Sequence, residues 1–292
     1  MERLPTELVI QILDYMSTEE LKAIGFISSE YRSLVIPFLF RRICPWWWGE
    51  TKRDVSDLLA WLRSNHRLST VVRVLDARAI RKCRQLPLEE PRQIILQQIM
   101  EIASWWEVLI LPGDEYTPLA VFDDNTKLKL RRLKFTRGIG LTKHKLSHFL
   151  LNVLPTCANL IDLEIPRLKQ DWFKTCDPNG SAITMWMNRL EKYHGPPYPL
   201  NYLRNGAPLL RLISTDPAPS PVLQRLGQLV GQPLLTLHVD FPLIRDPDFS
   251  LIGKDHLPPS LFPSSFPNLR YVSWFLIMSQ PESAPGDFVR TF

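Results

Sequence analysis

One six-residue pattern recurs along most of this 292-residue chain and restricts its fold more than any other feature. It reads leucine-x-x-leucine-x-leucine, with other apolar residues standing in. The clear copies are VVRVLD at 71–76, WWEVLI at 105–110, LRRLKF at 130–135, LIDLEI at 160–165, LLRLIS at 209–214, LLTLHV at 234–239 and LRYVSW at 269–274. A weaker copy, RLEKYHGPP, begins at Arg189. Start-to-start spacings of the clear copies are 34, 25, 30, 49, 25 and 35, and the 49 divides near its middle once the weaker copy counts. Alternating apolar positions over so short a run describe a strand with one side turned inward. A single strand of this kind cannot bury that side, so the units must stack side by side, each followed by a return segment. The fold class is therefore α/β, with a curved parallel sheet. Returns at 54–65, 91–104 and 145–157 carry apolar residues at helical period, whereas the later ones are richer in Pro and Gly and predict looser connections.

Stacking also fixes which charges meet. The run 127–145, KLKLRRLKFTRGIGLTKHK, holds eight Lys/Arg and no acid. Alone it suggests a phosphate-backbone contact. If Leu130 and Leu133 align with Leu160 and Leu163, however, Arg132 and Lys134 lie beside Asp162 and Glu164. Neighbouring strands run ~4.8 Å apart, and opposite charges across them contribute roughly 0.2–1 kcal/mol per pair. The same register puts Arg132, Lys134, Asp162, Glu164, Arg211, Thr236, His238 and Tyr271 on the concave face, the candidate substrate-binding positions.

Catalytic and metal chemistry find little footing. His144 and His148 stand at i, i+4 with no third ligand near, which reads as exposed helix histidines. Asp123–Asp124 and Asp246/Asp248 read as turn and cap residues. Gly138 and Gly140 fall far short of a phosphate-binding loop, and no serine or cysteine lies in a nucleophile motif. Cys44, Cys83, Cys157 and Cys176 are scattered, consistent with reduced thiols rather than a disulfide framework. No catalytic residue, cofactor or metal is expected. The net charge, 35 Lys+Arg against 30 Asp+Glu, is +5, too mild to argue for nucleic acid or a membrane surface. There is no apolar run of about 18 residues, and the first residues lack the separate apolar segment of a secretory signal.

Ahead of the repeats, about forty residues read as three short helices. Pro5 suits a first helical turn, and Leu8, Ile12, Leu13 and Met16 follow as one apolar stripe. Ser17 and Glu20 make a capping box for a second helix bearing Leu21 and Ile24. A third follows Ser28–Ser29 and carries Tyr31, Leu34 and Val35, with Pro37 near its end. Modules of ~40 residues rarely bury all their apolar surface alone, which implies a protein partner.

The ordered set Leu4, Pro5, Glu7, Leu8, Ile12, Leu13, Leu21, Ile27, Ser28, Tyr31, Arg32, Phe40, Arg41 and Ile43 resembles an F-box. Met16, Ile27 and Phe40 replace that motif's usual Leu, Val and Trp, and all keep its apolar character. The resemblance implies docking on the Skp adaptor of a cullin–RING ubiquitin ligase through Leu4, Pro5, Glu7, Leu8, Ile12, Leu13, Leu21, Ile24 and Ile27, some of which also serve the module's own packing. Repeats of this kind, without the regular asparagine position, resemble the irregular leucine-rich repeats of fungal F-box proteins. The implied role is a non-enzymatic receptor in the cytoplasm and/or nucleus, with an unknown protein substrate on the repeats; a leucine-rich scaffold outside any ligase is the alternative. The expected layout is an F-box at 1–44, a junction at 45–70, a solenoid at 71–278 and a tail or partial cap at 279–292. Trp46, Trp47 and Trp48 are expected to fill the junction, with Trp105 and Trp106 as a further aromatic pair. The final GDFVRTF lacks a polar cap, so it is either a short helical cap or the point where a longer sequence is cut.

Overall fold

A computed structural model describes residues 4–44, 55–65, 69–78, 89–103, 105–113, 124–136, 143–165, 173, 175, 177–215, 220–230, 233–243 and 266–278. Helices α1 (Thr6–Tyr15), α2 (Thr18–Gly25) and α3 (Ser29–Leu39) come first. Pro5 stands one position ahead of α1, and its carbonyl accepts from the Leu8 and Val9 amides. The capping box of α2 is complete: the Ser17 amide donates to Glu20 Oε2 at 2.7 Å, and Ser17 Oγ accepts from the Glu20 amide at 3.3 Å. Ser28 caps α3 by accepting from the Tyr31 amide at 3.2 Å. Leu13, Leu21 and Val35 form the small core of these helices, with Val9, Met16, Ile24, Leu34, Phe38 and Leu39 packed around it.

Behind them lies one nine-stranded sheet in strictly sequential order, every neighbouring pair parallel. Its strands are β1 (Arg42–Ile43), β2 (Val74–Asp76), β3 (Val108–Leu111), β4 (Arg132–Phe135), β5 (Asp162–Glu164), β6 (Lys192–Gly195), β7 (Arg211–Ser214), β8 (Thr236–Leu243) and β9 (Tyr271–Met278). The returns include α4 (Val55–Ser64), α5 (Glu89–Ile102), α6 (Asp124–Lys129), α7 (Lys143–His148), α8 (Ser181–Met187) and α9 (Ser220–Val230). α7 runs on through a π turn at Phe149–Val153 and a 3-10 turn at Leu154–Thr156. The sequence predicts loose returns late in the chain, yet α9 is a regular helix of 11 residues. Its leucines and valines keep helical spacing despite Pro221 and Gly227, and Pro221 sits in the first turn where it does no harm.

Two apolar ladders thread this solenoid. Leu75, Leu109, Leu133, Leu163, Tyr193, Leu212 and Leu237 stand in register, and Val72, Trp106, Leu130, Leu160, Leu190, Leu209 and Leu234 lie three residues ahead of them; all are buried. Burying each such side chain favours folding by roughly 1.5–3 kcal/mol. In the first two units the inward pattern starts at Val72 and Trp106, one residue later than hexads opening at Val71 and Trp105. Both positions carry apolar doublets, and the pleat chooses the second. Trp105 instead lies exposed, with Lys129 Nζ 5.3 Å from the ring centroid.

The weak copy at Arg189 is a full strand, β6, in which Tyr193 replaces the expected leucine. Its hydroxyl donates to the Pro196 carbonyl at 2.9 Å. A Cβ on Gly195 would stand 2.6 Å from that hydroxyl oxygen and 3.1 Å from the Ile165 carbonyl oxygen. Gly195→Ala is therefore expected to destabilise the fold by about 1–3 kcal/mol, read by thermal melting. An unchanged melting temperature would mean the Tyr193 ring yields freely.

The helical module is not hung on a linker. Its last residues are β1, which pairs with β2, and the Arg41 carbonyl accepts from the Arg73 and Val74 amides at 2.8 and 2.9 Å. The Phe40 and Trp61 rings pack at a 36° tilt with centroids 5.0 Å apart, and Arg41 pairs with both Asp14 and Glu107. The predicted wedge of Trp46, Trp47 and Trp48 lies outside the described residues, as do Cys83, Asp123, Gly138, Gly140, Cys176, Asp246, Asp248 and the tail from 279.

Candidate interaction surfaces

Two surfaces combine exposure with chemistry. The first is on the helical module. Leu4, Leu8, Ile12 and Ile27 are exposed at 59%, 44%, 49% and 70%, beside the exposed Pro5 and Glu7. Leu13 and Leu21, named with them from the sequence, are buried in the module's own core, and Ile24 is half-buried against it. They hold the helices that present the face and do not form it. The sequence reading omits Ile10, Tyr15 and Phe26, which are exposed as well, Tyr15 to 92% and Phe26 to 81%. The signal for them was the excess of apolar residues over what three short helices can bury.

The second surface is the open side of the sheet. Register lines Arg132, Asp162, Lys192, Arg211, Thr236 and Tyr271 into one row. A parallel row holds Ile110, Lys134, Glu164, His194, Ile213 and His238. Every concave position named from the sequence thus lies in one of two adjacent rows. Arg132 Nε donates to Asp162 Oδ2 at 2.6 Å, and Lys134 Nζ lies 2.5 Å from Glu164 Oε2. The basic run accordingly spends two of its cations inside the sheet, as the repeat register requires. His194 Nδ1 stands 3.2 Å from the other Glu164 oxygen. The middle of these rows lines a cavity of about 410 Å³, whereas Thr236, His238 and Tyr271 continue the rows beyond it. Lys192 and His194 were missed in the sequence because tyrosine and glycine mask the repeat signal of their strand.

Toward β1 the row ends in Asp76, whose side chain is almost wholly buried. It accepts from Arg78 Nε at 2.9 Å and Nη2 at 2.8 Å, and from Arg42. Burial pushes this carboxyl up, but the hydrogen bonds from Arg78 and Arg42 outweigh it and hold it below its ordinary range. Burial pushes the Cys157 thiol up to about 11, which leaves it a poor nucleophile. His148 is exposed at the end of α7, while the side chain of His144 lies outside the described part. Among the described residues no group of three or more His, Cys, Asp and Glu could hold a metal, and no helix is long and apolar enough to cross a membrane.

Glu164 gives the open face a pH dependence. Burial raises its pKa, yet the His194 and Lys134 hydrogen bonds prevail and hold it below the usual carboxylate range. A folded-state value below the unfolded one, about 4.3, stabilises the fold at higher pH. That contribution disappears as pH falls through the folded value. Glu164→Gln is therefore expected to melt below wild type at neutral pH and to converge with it in acid. A gap that persists unchanged in acid would show that packing, not charge, produces the difference.

Residues 1–42 match the family model of the F-box domain. No curated protein matches the chain.

Proposed function

We propose that this chain is the substrate-recognition subunit of a Skp–cullin–F-box ubiquitin ligase. Its F-box docks the Skp adaptor, and its irregular leucine-rich repeats hold a protein substrate. An F-box at residues 1–42 implies such an adaptor role, and proteins with this domain are generally non-catalytic. The observation that carries the reading is the exposed apolar face of Leu4, Leu8, Ile12 and Ile27, which is not turned against the repeats. A helical cap that only sealed a scaffold would bury these residues on the solenoid. Chemistry would belong to the partner enzymes, and this chain would supply proximity and orientation.

By the same reading the adaptor contacts come from Leu4, Pro5, Glu7, Leu8, Ile12 and Ile27, and the substrate side is the open sheet face. The irregular repeats resemble those of fungal F-box proteins, and the ligase would act in the cytoplasm and/or nucleus. Co-expression with a Skp adaptor tests it: a one-to-one complex by size exclusion is expected. A folded chain that elutes without the adaptor would leave a leucine-rich scaffold outside any ligase.

A further inference from the structure

The open face is not electrically balanced. Arg132, Lys134, Lys192 and Arg211 line its cavity against Asp162 and Glu164. The two carboxylates are already engaged, Asp162 by Arg132 and Glu164 by Lys134 and His194. Lys192 and Arg211 are direct register neighbours on β6 and β7. Both are exposed, and among the described residues neither has an ion-pair partner. Lys192 also stands opposite Asp162 on β5, but that carboxylate is taken by Arg132. Like charges directly opposite each other on paired strands oppose folding, so the Lys192–Arg211 pair gains nothing for the sheet itself. Beside it, Ile110 and Ile213 give the cavity an apolar element.

We propose that this face binds an acidic, extended segment of the substrate protein, with two Asp or Glu side chains at alternate positions meeting Lys192 and Arg211. The proposal rests on the reading of this face as the substrate side. Side chains at alternate residues of an extended segment point the same way, about 6.5 Å apart. That separation suits two long cationic side chains on strands ~4.8 Å apart. Arg211 can take a carboxylate by two parallel hydrogen bonds, and Lys192 meets the other as a point charge. Separate carboxylates fit better than one phosphate. A phosphate dianion offers three strong acceptor oxygens on one centre, but Arg132 and Lys134 are committed, and Asp162 and Glu164 would repel a compact double charge. The intervening residue of the segment faces away, and a following apolar residue can rest on Ile213.

The probe is a short fluorescein-labelled peptide of alternating glutamate and threonine, titrated into the full chain and followed by anisotropy. Saturable binding is expected, weakening with added salt and absent for the matched glutamine peptide. Lys192→Gln with Arg211→Gln is expected to weaken it by about tenfold or more, with a circular dichroism melt no lower than wild type, because both side chains are exposed and the change relieves their mutual repulsion. Reversal of both to glutamate should transfer binding to an alternating lysine peptide. Equal binding of the glutamate and glutamine peptides, tighter binding of a phosphoserine peptide, or indifference to the double variant would each overturn the proposal. Adaptor co-purification on the same samples reads the ligase assignment separately: a chain that takes adaptor but not peptide refutes only the acidic segment, and one that takes peptide but not adaptor refutes only the ligase.

Discussion

Leu8→Asp in the full chain, co-expressed with a Skp adaptor, is expected to abolish recovery of the complex. Leu8 sits on the outer side of α1, 44% exposed, with Ile12 one turn on and the exposed Leu4 just ahead of the helix. A carboxylate there forfeits an apolar contact of roughly 1.5–3 kcal/mol and adds a charge with no partner in a dry interface, several kcal/mol more. Together these exceed a hundredfold in affinity, at about 1.4 kcal/mol for each factor of ten. The fold itself should tolerate the change, since the α1 residue that carries the module's core is Leu13. Circular dichroism of the variant should overlay the wild type. A complex that survives Leu8→Asp would place the docking face elsewhere on the module.

Leu163→Ala is expected to cost the fold a large share of its stability. Leu163 is fully buried, with Leu133 on one side of it and Tyr193 on the other. A leucine-to-alanine change in such a core costs about 2–5 kcal/mol, the cavity adding to the lost transfer energy. In a solenoid each unit is held by its neighbours, so the damage reaches the β4–β5 and β5–β6 contacts together. Asp162→Ala, one residue away, removes a partly exposed ion pair with Arg132 and should cost about 1 kcal/mol, less than the buried leucine. Chemical denaturation of both variants separates the cases. If Asp162→Ala proved the more damaging, charge pairing rather than the apolar ladder would be holding the sheet.

The contrast between these neighbours shows what the sequence made readable. Leucines at fixed offsets announce the inward ladder, and once they are aligned the outward residues follow, which is how the sequence alone pairs Arg132 with Asp162 and Lys134 with Glu164. The alignment failed where the signal was doubled or altered. Val71–Val72 and Trp105–Trp106 offer two equally apolar starts, and only the pleat selects between them. At β6, Tyr193 and Gly195 depart from leucine, so Lys192 and His194 went unnoticed although they sit in the middle of the charged rows. On the helical module, spacing finds the apolar stripes but not their inner side. Leu13 and Leu21 look like docking residues until the packing of α1, α2 and α3 shows them facing one another.

β1 also settles where this chain should be cut. Because Arg42 and Ile43 pair with Val74 and Leu75, they cover most of the flank of β2, so that among the described residues only the two residues of β1 border that side of the sheet. Trimming the chain after residue 44, the obvious way to prepare the repeats alone, would uncover a row of unpaired amides and carbonyls next to buried leucines. Such a border recruits strands from other copies. The isolated repeats should therefore precipitate or form ladders of oligomers where the intact chain does not, and a crystallisation or binding project is better begun with the first helices left in place.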